Sequence, residues 1–128
     1  MYNPLAICQE IFGDLSFEEI CEMISDIGYE GIELAPFKFS EDIRKFSKKE
    51  LMNIKKTAQD NSIEIIAAHW LLVSPKDLHI TSPDIKIYRE TLGFFHGLIE
   101  FSSELGIKVL VLGSPNQRSI DKSWDQEE

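Results

Sequence analysis

The sequence contains little cysteine, no long apolar run and fewer basic than acidic residues, and each shortage argues against a class of protein. Only two of its 128 residues are cysteines, and the spacing of Cys8 and Cys21 matches no metal motif. We therefore expect two buried, reduced thiols in a cytoplasmic protein rather than a disulfide scaffold. No run of about 18 apolar residues is present, so no membrane span is expected. The amino terminus also lacks the basic-then-apolar pattern of a secretory signal.

The charge balance argues against polyanionic partners. The chain has 13 basic and 22 acidic side chains, which gives a formal net charge of −9. Nucleic acids and anionic membranes bind to basic faces, so we expect neither as a partner. A hydrophobic content of 43% and a length of 128 residues are typical of one globular domain with one core.

The segment 108–118 gives the clearest structural signal. Four apolar residues, 109–112, run into the turn residues Gly113, Ser114 and Pro115. An unbroken apolar run that ends at a turn predicts a strand buried on both faces, as in a parallel sheet. In parallel α/β folds the functional groups follow the carboxyl ends of the strands. The residues after Leu112 are therefore the first place to look for function.

Strand and helix patterns alternate along the whole chain. Capping boxes, Ser16 with Glu19 and Ser47 with Glu50, predict the starts of two helices, and Ser82-Pro83 predicts the start of a third. Glycines at 28 and 106 predict where the first and third helices end. The predicted strands are 5–12, 31–36, 63–69 and 109–112, and the predicted helices are 17–27, 48–61 and 83–105. This alternation predicts an α/β fold with a parallel sheet.

Two closures of this sheet are compatible with the spacing: a doubly wound open sheet and a (β/α)8 barrel. The segment 123–126 has capping-box form, so a fourth crossover helix is expected to begin there. A complete barrel needs roughly 250 residues. We therefore interpret residues 1–128 as the amino-terminal half of a (β/α)8 barrel domain, a partial TIM barrel with the first four strands.

Three features in order resemble a known family. They are the strand entry at 28–34, His69 at the end of strand three, and the strand-four exit at 109–118. Together they resemble the xylose-isomerase-like TIM barrels, especially the sugar phosphate isomerase/epimerase group, whose fold endonuclease IV shares. The resemblance spans nearly the whole chain but only the amino-terminal half of the family's length. The order and spacing of the three features carry it.

The resemblance implies a metal-dependent enzyme that acts on a small sugar. In this family a divalent metal (Mn, Mg, Co or Zn) holds adjacent substrate oxygens while carboxylates move a proton through an enediolate. The family's metal ligands and catalytic carboxylates come mainly from later strands. We therefore expect no metal in this chain alone and predict that the isolated chain is inactive.

The endonuclease branch is an alternative within the same fold. It uses three zinc ions, with histidine ligands on strands three and four. His69 would match the strand-three ligand, but the strand-four exit has Gly113 and Ser114 and no histidine. This departure and the acidic net charge favour the isomerase branch over a DNA-repair function.

Four residues are candidates for substrate binding: Glu33, His69, Ser114 and Arg118. Glu33 lies in an apolar strand, where a carboxylate is costly unless it is paired or functional, and a structural ion pair is the alternative. His69 follows two small residues at a strand end, and a hydrogen-bonded core histidine is the alternative. Arg118 offers a fork of donors for a phosphate or carboxylate group, or for a salt bridge. Turn chemistry explains Ser114 equally well. Glu10 is a weaker candidate.

A function of a different class also fits the pattern. The chain could be a free-standing flavodoxin-like binding module without catalysis, in which case both sheet edges would be covered. Exposed edge strands would instead support half of a barrel. Since such edges pair readily, we predict self-association of the isolated chain in that case.

Overall fold

The computed structural model describes residues 4–121, 123 and 124, which form four β-strands with three α-helices between them. The strands are β1 (Ala6–Cys8), β2 (Gly31–Leu34), β3 (Glu64–His69) and β4 (Val109–Val111). The helices are α1 (Phe17–Ile27), α2 (Lys48–Asp60) and α3 (Ile85–Leu105), and short 3-10 turns follow β1, β2 and β4. The fourth helix predicted from 123–126 lies largely outside the described residues. No described helix has the length and apolar character needed to cross a bilayer.

The strands form a single parallel sheet in the order β1-β2-β3-β4. A flavodoxin-like sheet reverses its strand order near the middle, and this sheet has no reversal. Right-handed crossovers that all step in one direction place all three helices on the same face. Consistent with this, α1 contacts α2 and α2 contacts α3. The sheet confirms an α/β fold of partial TIM-barrel form.

Local signals fix the starts of the first two helices. Ser16 Oγ accepts a hydrogen bond from the Glu19 N–H at 3.2 Å, and the Glu19 carboxylate accepts from the Ser16 N–H at 2.8 Å. Ser47 and Glu50 form the same pair, at 3.3 and 2.7 Å. Both predicted capping boxes are therefore present and satisfy amides that the helix itself leaves unpaired.

The third helix differs from its predicted start. It begins at Ile85, with Asp84 as the capping side chain, rather than at Pro83. Its end is as predicted: Gly106 adopts φ 78°, a left-handed conformation that favours glycine. Gly28 ends α1 in the same way, with φ 101°. An aspartate competes well for the capping position, which explains the shift of the start by two residues.

The core lies between the helices and one face of the sheet. The fully buried apolar side chains include Ile20, Ile24, Ile32, Leu34, Phe94 and Leu98, which come from α1, β2 and α3. The opposite face is open: Ile66 of β3 is 37% exposed, and Val109 and Val111 of β4 are 52% and 44% exposed. In a closed barrel this second face would be the interior.

The prediction that strand four is buried on both faces is wrong for this structure. All three residues of β4 are exposed, including Leu110 at 36%. The strand is at the edge of the sheet, and no described helix follows it to cover the face on which Leu110 lies. Hydrophobicity predicts the strand correctly, whereas its burial depends on neighbours that it lacks here.

Candidate functional site

An irregularity in β3 determines which face its last residues occupy. Ile32 pairs with Ile65, but Glu33 pairs with Ala67, so Ile66 is inserted into the strand as in a β-bulge. Side chains alternate between faces along a regular strand, so Ile65 and His69 would otherwise share a face. The insertion leaves Ile65 in the core and moves His69 to the open face, beside Glu33.

Three consecutive strands deliver polar side chains to one point at their carboxyl ends. His69 Nε2 lies 2.7 Å from Glu10 Oε2, and His69 Nδ1 lies 2.9 Å from Glu33 Oε1. The Cys8 thiol donates to Glu33 Oε2 at 3.8 Å. We refer to Cys8, Glu10, Glu33 and His69 as the strand-exit cluster. Its position is where parallel α/β proteins place their functional groups.

The turn after β1 is fixed by a buried amide. The first strand ends at Cys8, earlier than predicted, and a 3-10 turn follows over Gln9–Phe12. Gln9 is buried, and its Oε1 accepts a hydrogen bond from the Ala35 N–H at 3.0 Å. This bond ties the β1 exit to the β2 exit and holds Glu10 over His69.

The cluster has more negative than positive charge. The His69 side chain is 8% exposed, whereas those of Glu10 and Glu33 are 29% and 25% exposed. Neither carboxylate has another salt bridge within the described part of the chain. A neutral imidazole has one N–H and one lone pair, so it can donate to only one of two carboxylates. A further partner, such as a metal ion or another hydrogen-bond donor, would be needed to satisfy both.

The two thiols differ in their environment. Cys8 is half-buried, and burial followed by the negative charges of Glu33 and Glu10 raises its pKa. Cys21 is fully buried in the core, and burial raises its pKa to about 12. Cys21 is therefore a structural thiol, whereas Cys8 belongs to the strand-exit cluster.

Three members of the cluster could hold a metal ion. One ligand atom each from Cys8, Glu10 and His69 lie within 4.8 Å of one another. Both ring nitrogens of His69 and Oε2 of Glu10 are buried without a hydrogen bond of ordinary geometry to the described residues. Sulfur, nitrogen and carboxylate oxygen are ligands that Zn²⁺ and related ions accept. The donor set therefore fits a divalent metal.

The structure brings together only two of the four predicted binding residues. Glu33 and His69 meet in the strand-exit cluster, while Ser114 and Arg118 make other contacts. Ser114 is fully buried, and its Oγ accepts from the Leu72 N–H at 3.0 Å. Arg118 is exposed, and its Nε donates to the Gly113 carbonyl at 3.4 Å. The binding roles of all four residues remain predictions.

The end of the first strand contributes more to the site than its sequence pattern predicts. The sequence predicts a buried thiol at Cys8 and makes Glu10 only a weaker candidate, and it assigns Gln9 no role. The signal was available, because Gln9 and Glu10 are adjacent polar residues directly after an apolar strand. The predicted strand 5–12 includes both residues, whereas β1 ends at Cys8, so the prediction misplaces the carboxyl end of the strand.

Parallel strands in chain order, with helices on one face and polar groups at the strand exits, define a protein of the TIM-barrel class. The family model for the xylose isomerase-like TIM barrel matches residues 21–128. The chain belongs to this family. A comparison with curated protein sequences gives no match.

Solved structures of sugar epimerases share the fold. A D-psicose 3-epimerase crystallised in the presence of D-fructose superposes with a TM-score of 0.70 at 23% identity, over 95% of this chain and 41% of that one. D-psicose 3-epimerase with D-tagatose from Clostridium cellulolyticum H10 gives 0.68 at 17% identity, over 91% and 41%. The apo 3-keto-D-glucoside 4-epimerase from E. coli gives 0.60 at 14% identity, over 84% and 37%. The chain thus spans less than half the length of these neighbours.

Proposed function

We propose that residues 1–128 are the amino-terminal half of a metal-dependent sugar or sugar phosphate isomerase/epimerase that transfers a proton through an enediolate. The observation that carries the proposal is the meeting of Glu10, Glu33 and His69 at the exits of three strands, with contacts of 2.7 and 2.9 Å. Family membership and the sugars named for the epimerase neighbours support a small sugar as substrate.

The cluster suits recognition of sugar hydroxyl groups. The Glu10 and Glu33 carboxylates are partly exposed on the open face, so their free oxygens can accept hydrogen bonds from hydroxyls. His69 lies between the two carboxylates, with ring nitrogens 2.7 and 2.9 Å from their oxygens. Arg118 would bind the phosphate of a phosphorylated sugar, and Ser114 would shape the loop that carries it.

Catalysis requires groups beyond this cluster. When bound, a divalent metal polarises the substrate's adjacent oxygens, and the resemblance assigns its ligands mainly to later strands. The proton transfer also needs a carboxylate at the reacting carbon. We therefore propose that the isolated chain binds sugar weakly and does not turn it over.

Ligand-detected NMR of the isolated chain tests this proposal. We expect D-fructose, D-psicose or D-tagatose to show saturation transfer from the wild-type chain, at least tenfold weaker with Glu33→Gln or His69→Gln. The exposed His96 on α3 provides a matched control, and His96→Gln should bind as the wild type does. In D₂O with Mn²⁺ or Co²⁺, no carbon-bound sugar proton should exchange with solvent.

Two outcomes would contradict the proposal. Saturation transfer that is equal in the wild type and both cluster variants would remove the strand-exit cluster from sugar binding. Deuterium incorporation into the sugar by the purified chain would show that it is catalytically complete. A ketose phosphate tests Arg118 separately, because Arg118→Gln should weaken its binding and leave the unphosphorylated ketose unaffected.

We further propose that the isolated chain self-associates through its sheet edges. β1 and β4 are the edge strands, and Leu5 beside β1 is 61% exposed. Edge strands with exposed apolar residues pair readily, and a lysine on the edge prevents it. Gel filtration over a concentration series should show dimers or larger species that Val109→Lys reduces. The control Ile27→Lys, at an exposed position of α1, should leave these species unchanged. A monomer at every concentration would refute the proposal.

The composition supports two further proposals, on partners and on cellular location. The acidic net charge of −9 supports a protein without nucleic-acid or membrane partners. The two free cysteines support a cytoplasmic location.

A further inference from the structure

The donor atoms of Cys8, Glu10 and His69 form a compact group that the proposed sugar recognition does not account for. They lie within 4.8 Å of one another, although Cys8 and Glu10 come from the β1 exit and His69 from the end of β3. His69 is 94% buried by the fold around it, since its relative exposure is 6%. Its ring is therefore held in place rather than free to turn toward water.

The ring nitrogens of His69 lack ordinary hydrogen bonds. Carboxylate oxygens lie at 2.7 and 2.9 Å, yet neither ring nitrogen forms a hydrogen bond of normal geometry with the described residues. Buried polar atoms are nearly always paired, so an unpaired set at one point indicates an absent partner. A cation at this point would pair Glu10 Oε2 together with a ring nitrogen of His69.

Glu33 occupies the position of a carboxylate that orients a metal-bound histidine. Ligating histidines commonly donate their other ring N–H to a carboxylate, which fixes the tautomer and the ring. Glu33 Oε1 lies 2.9 Å from Nδ1 of His69, on the side of the ring away from Glu10. With the proton on Nδ1, Nε2 has a free lone pair on the side of the ring where Glu10 Oε2 lies, 2.7 Å away.

The separations require only small movements to fit a tetrahedral ion. Ligand bonds of about 2.1 Å to nitrogen and oxygen and 2.3 Å to sulfur place nitrogen and oxygen roughly 3.4 Å apart and sulfur roughly 3.6 Å from each. The observed separation between Nε2 and Oε2 is 2.7 Å, and one donor atom from each of the three residues lies within 4.8 Å of the other two. Binding would therefore move Nε2 and Oε2 apart by roughly 0.7 Å.

We propose that Cys8 Sγ, the Glu10 carboxylate and His69 Nε2 bind one Zn²⁺, with Glu33 positioning His69. Three protein ligands leave the fourth position open to water or to a substrate oxygen. The site is formed by β1, the turn that follows it, and β3. It therefore differs from the metal that the resemblance assigns to later strands, and from our expectation that this chain alone holds none. The proposal does not depend on the sugar-binding function.

Cobalt titration of the purified 128-residue chain tests the site, because Co²⁺ replaces Zn²⁺ and reports its ligands by absorption. We expect one ion per chain, a thiolate-to-cobalt charge-transfer band, and displacement of Co²⁺ by Zn²⁺. Cys8→Ser should abolish the band, and Glu10→Gln and His69→Gln should weaken binding at least tenfold. Glu33→Gln should weaken it 10–100-fold while the band persists, as expected for a positioning residue. His96→Gln is the matched control.

A second measurement needs no variant and therefore does not depend on the folding of one. Zn²⁺ should protect Cys8 from alkylation in the wild-type chain, as followed by peptide mass spectrometry. Cys21 is an internal reference, since its burial should keep it unreactive with or without the ion. A chain that binds no Co²⁺ stoichiometrically, or whose Cys8 alkylates at the same rate with Zn²⁺, would show that the cluster is a structural ion pair only.

Discussion

Two glycines inside α3 should respond in opposite ways to the same substitution. Alanine is favoured over glycine in a helix interior by about 1 kcal/mol, so Gly93→Ala and Gly97→Ala would ordinarily both stabilise. A Cβ at Gly93 meets only Arg44 Nη1, at 3.9 Å. A Cβ at Gly97 would lie 2.4 Å from Arg44 Cγ and 3.3 Å from its Cδ. Arg44 would therefore have to move only in the second variant.

Arg44 cannot move without losing contacts. Its Nε and Nη2 donate to the Asp42 carboxylate at 2.9 and 2.8 Å, Nη2 lies 2.7 Å from Glu90 Oε1, and the guanidinium lies 5.5 Å from the centre of the Phe94 ring. Overpacking costs roughly 1–3 kcal/mol, and loss of charged hydrogen bonds adds to it. Against a helical gain of about 1 kcal/mol, we expect Gly97→Ala to destabilise by roughly 1–2 kcal/mol.

Urea unfolding of both variants, at a concentration where the chain is monomeric, measures the difference. Gly93→Ala should raise the free energy of unfolding by about 1 kcal/mol and Gly97→Ala should lower it. In an Arg44→Ala background the obstruction is absent, so Gly97→Ala should then stabilise as Gly93→Ala does. Equal effects of the two glycine substitutions in the wild-type background would refute the reasoning.

Two further predictions concern the buried polar contacts. Ser114→Ala removes the acceptor of the Leu72 N–H and should cost roughly 1–3 kcal/mol in urea unfolding, whereas the exposed control Ser119→Ala should change stability by less than about 0.5 kcal/mol. The hydrogen bonds from Arg44 lower the pKa of Asp42, so this stabilisation is present above the unfolded value of about 3.9 and is lost as pH falls through the folded value. The stability difference between wild type and Asp42→Asn should therefore shrink below about pH 4; a constant difference would contradict the assignment.

The helices were predictable because their signals are local. Capping boxes at Ser16 and Ser47 and left-handed glycines at 28 and 106 involve residues at most a few positions apart. The burial of β4 was not predictable, because an apolar run reports what a strand can bury and not what covers it. The order of the strands in the sheet was likewise not predictable, since a doubly wound sheet and a barrel share the same alternation of strands and helices.

The site was predictable only in part. Glu33 and His69 stand out as polar residues in or after apolar strands, and the structure places them 2.9 Å apart. Their contact depends on the insertion at Ile66, which exchanges the faces of the residues that follow it. No sequence pattern marks this insertion. Cys8 and Glu10 join the cluster because β1 stops five residues before Gly13, and a 3-10 turn has no strong sequence signature.

The open face of the sheet has two unsatisfied features, exposed apolar side chains and excess negative charge, and different partners would satisfy them. Along β3 and β4 it exposes apolar side chains, which protein would cover, and at the strand exits it carries excess negative charge, which a cation would neutralise. Self-association and cation binding should therefore be independent. Val109→Lys should reduce self-association and leave Co²⁺ affinity unchanged. Cys8→Ser should weaken Co²⁺ binding and leave self-association unchanged. If Val109→Lys also weakened Co²⁺ binding, the ion would be held between chains, and a site within one chain would be wrong.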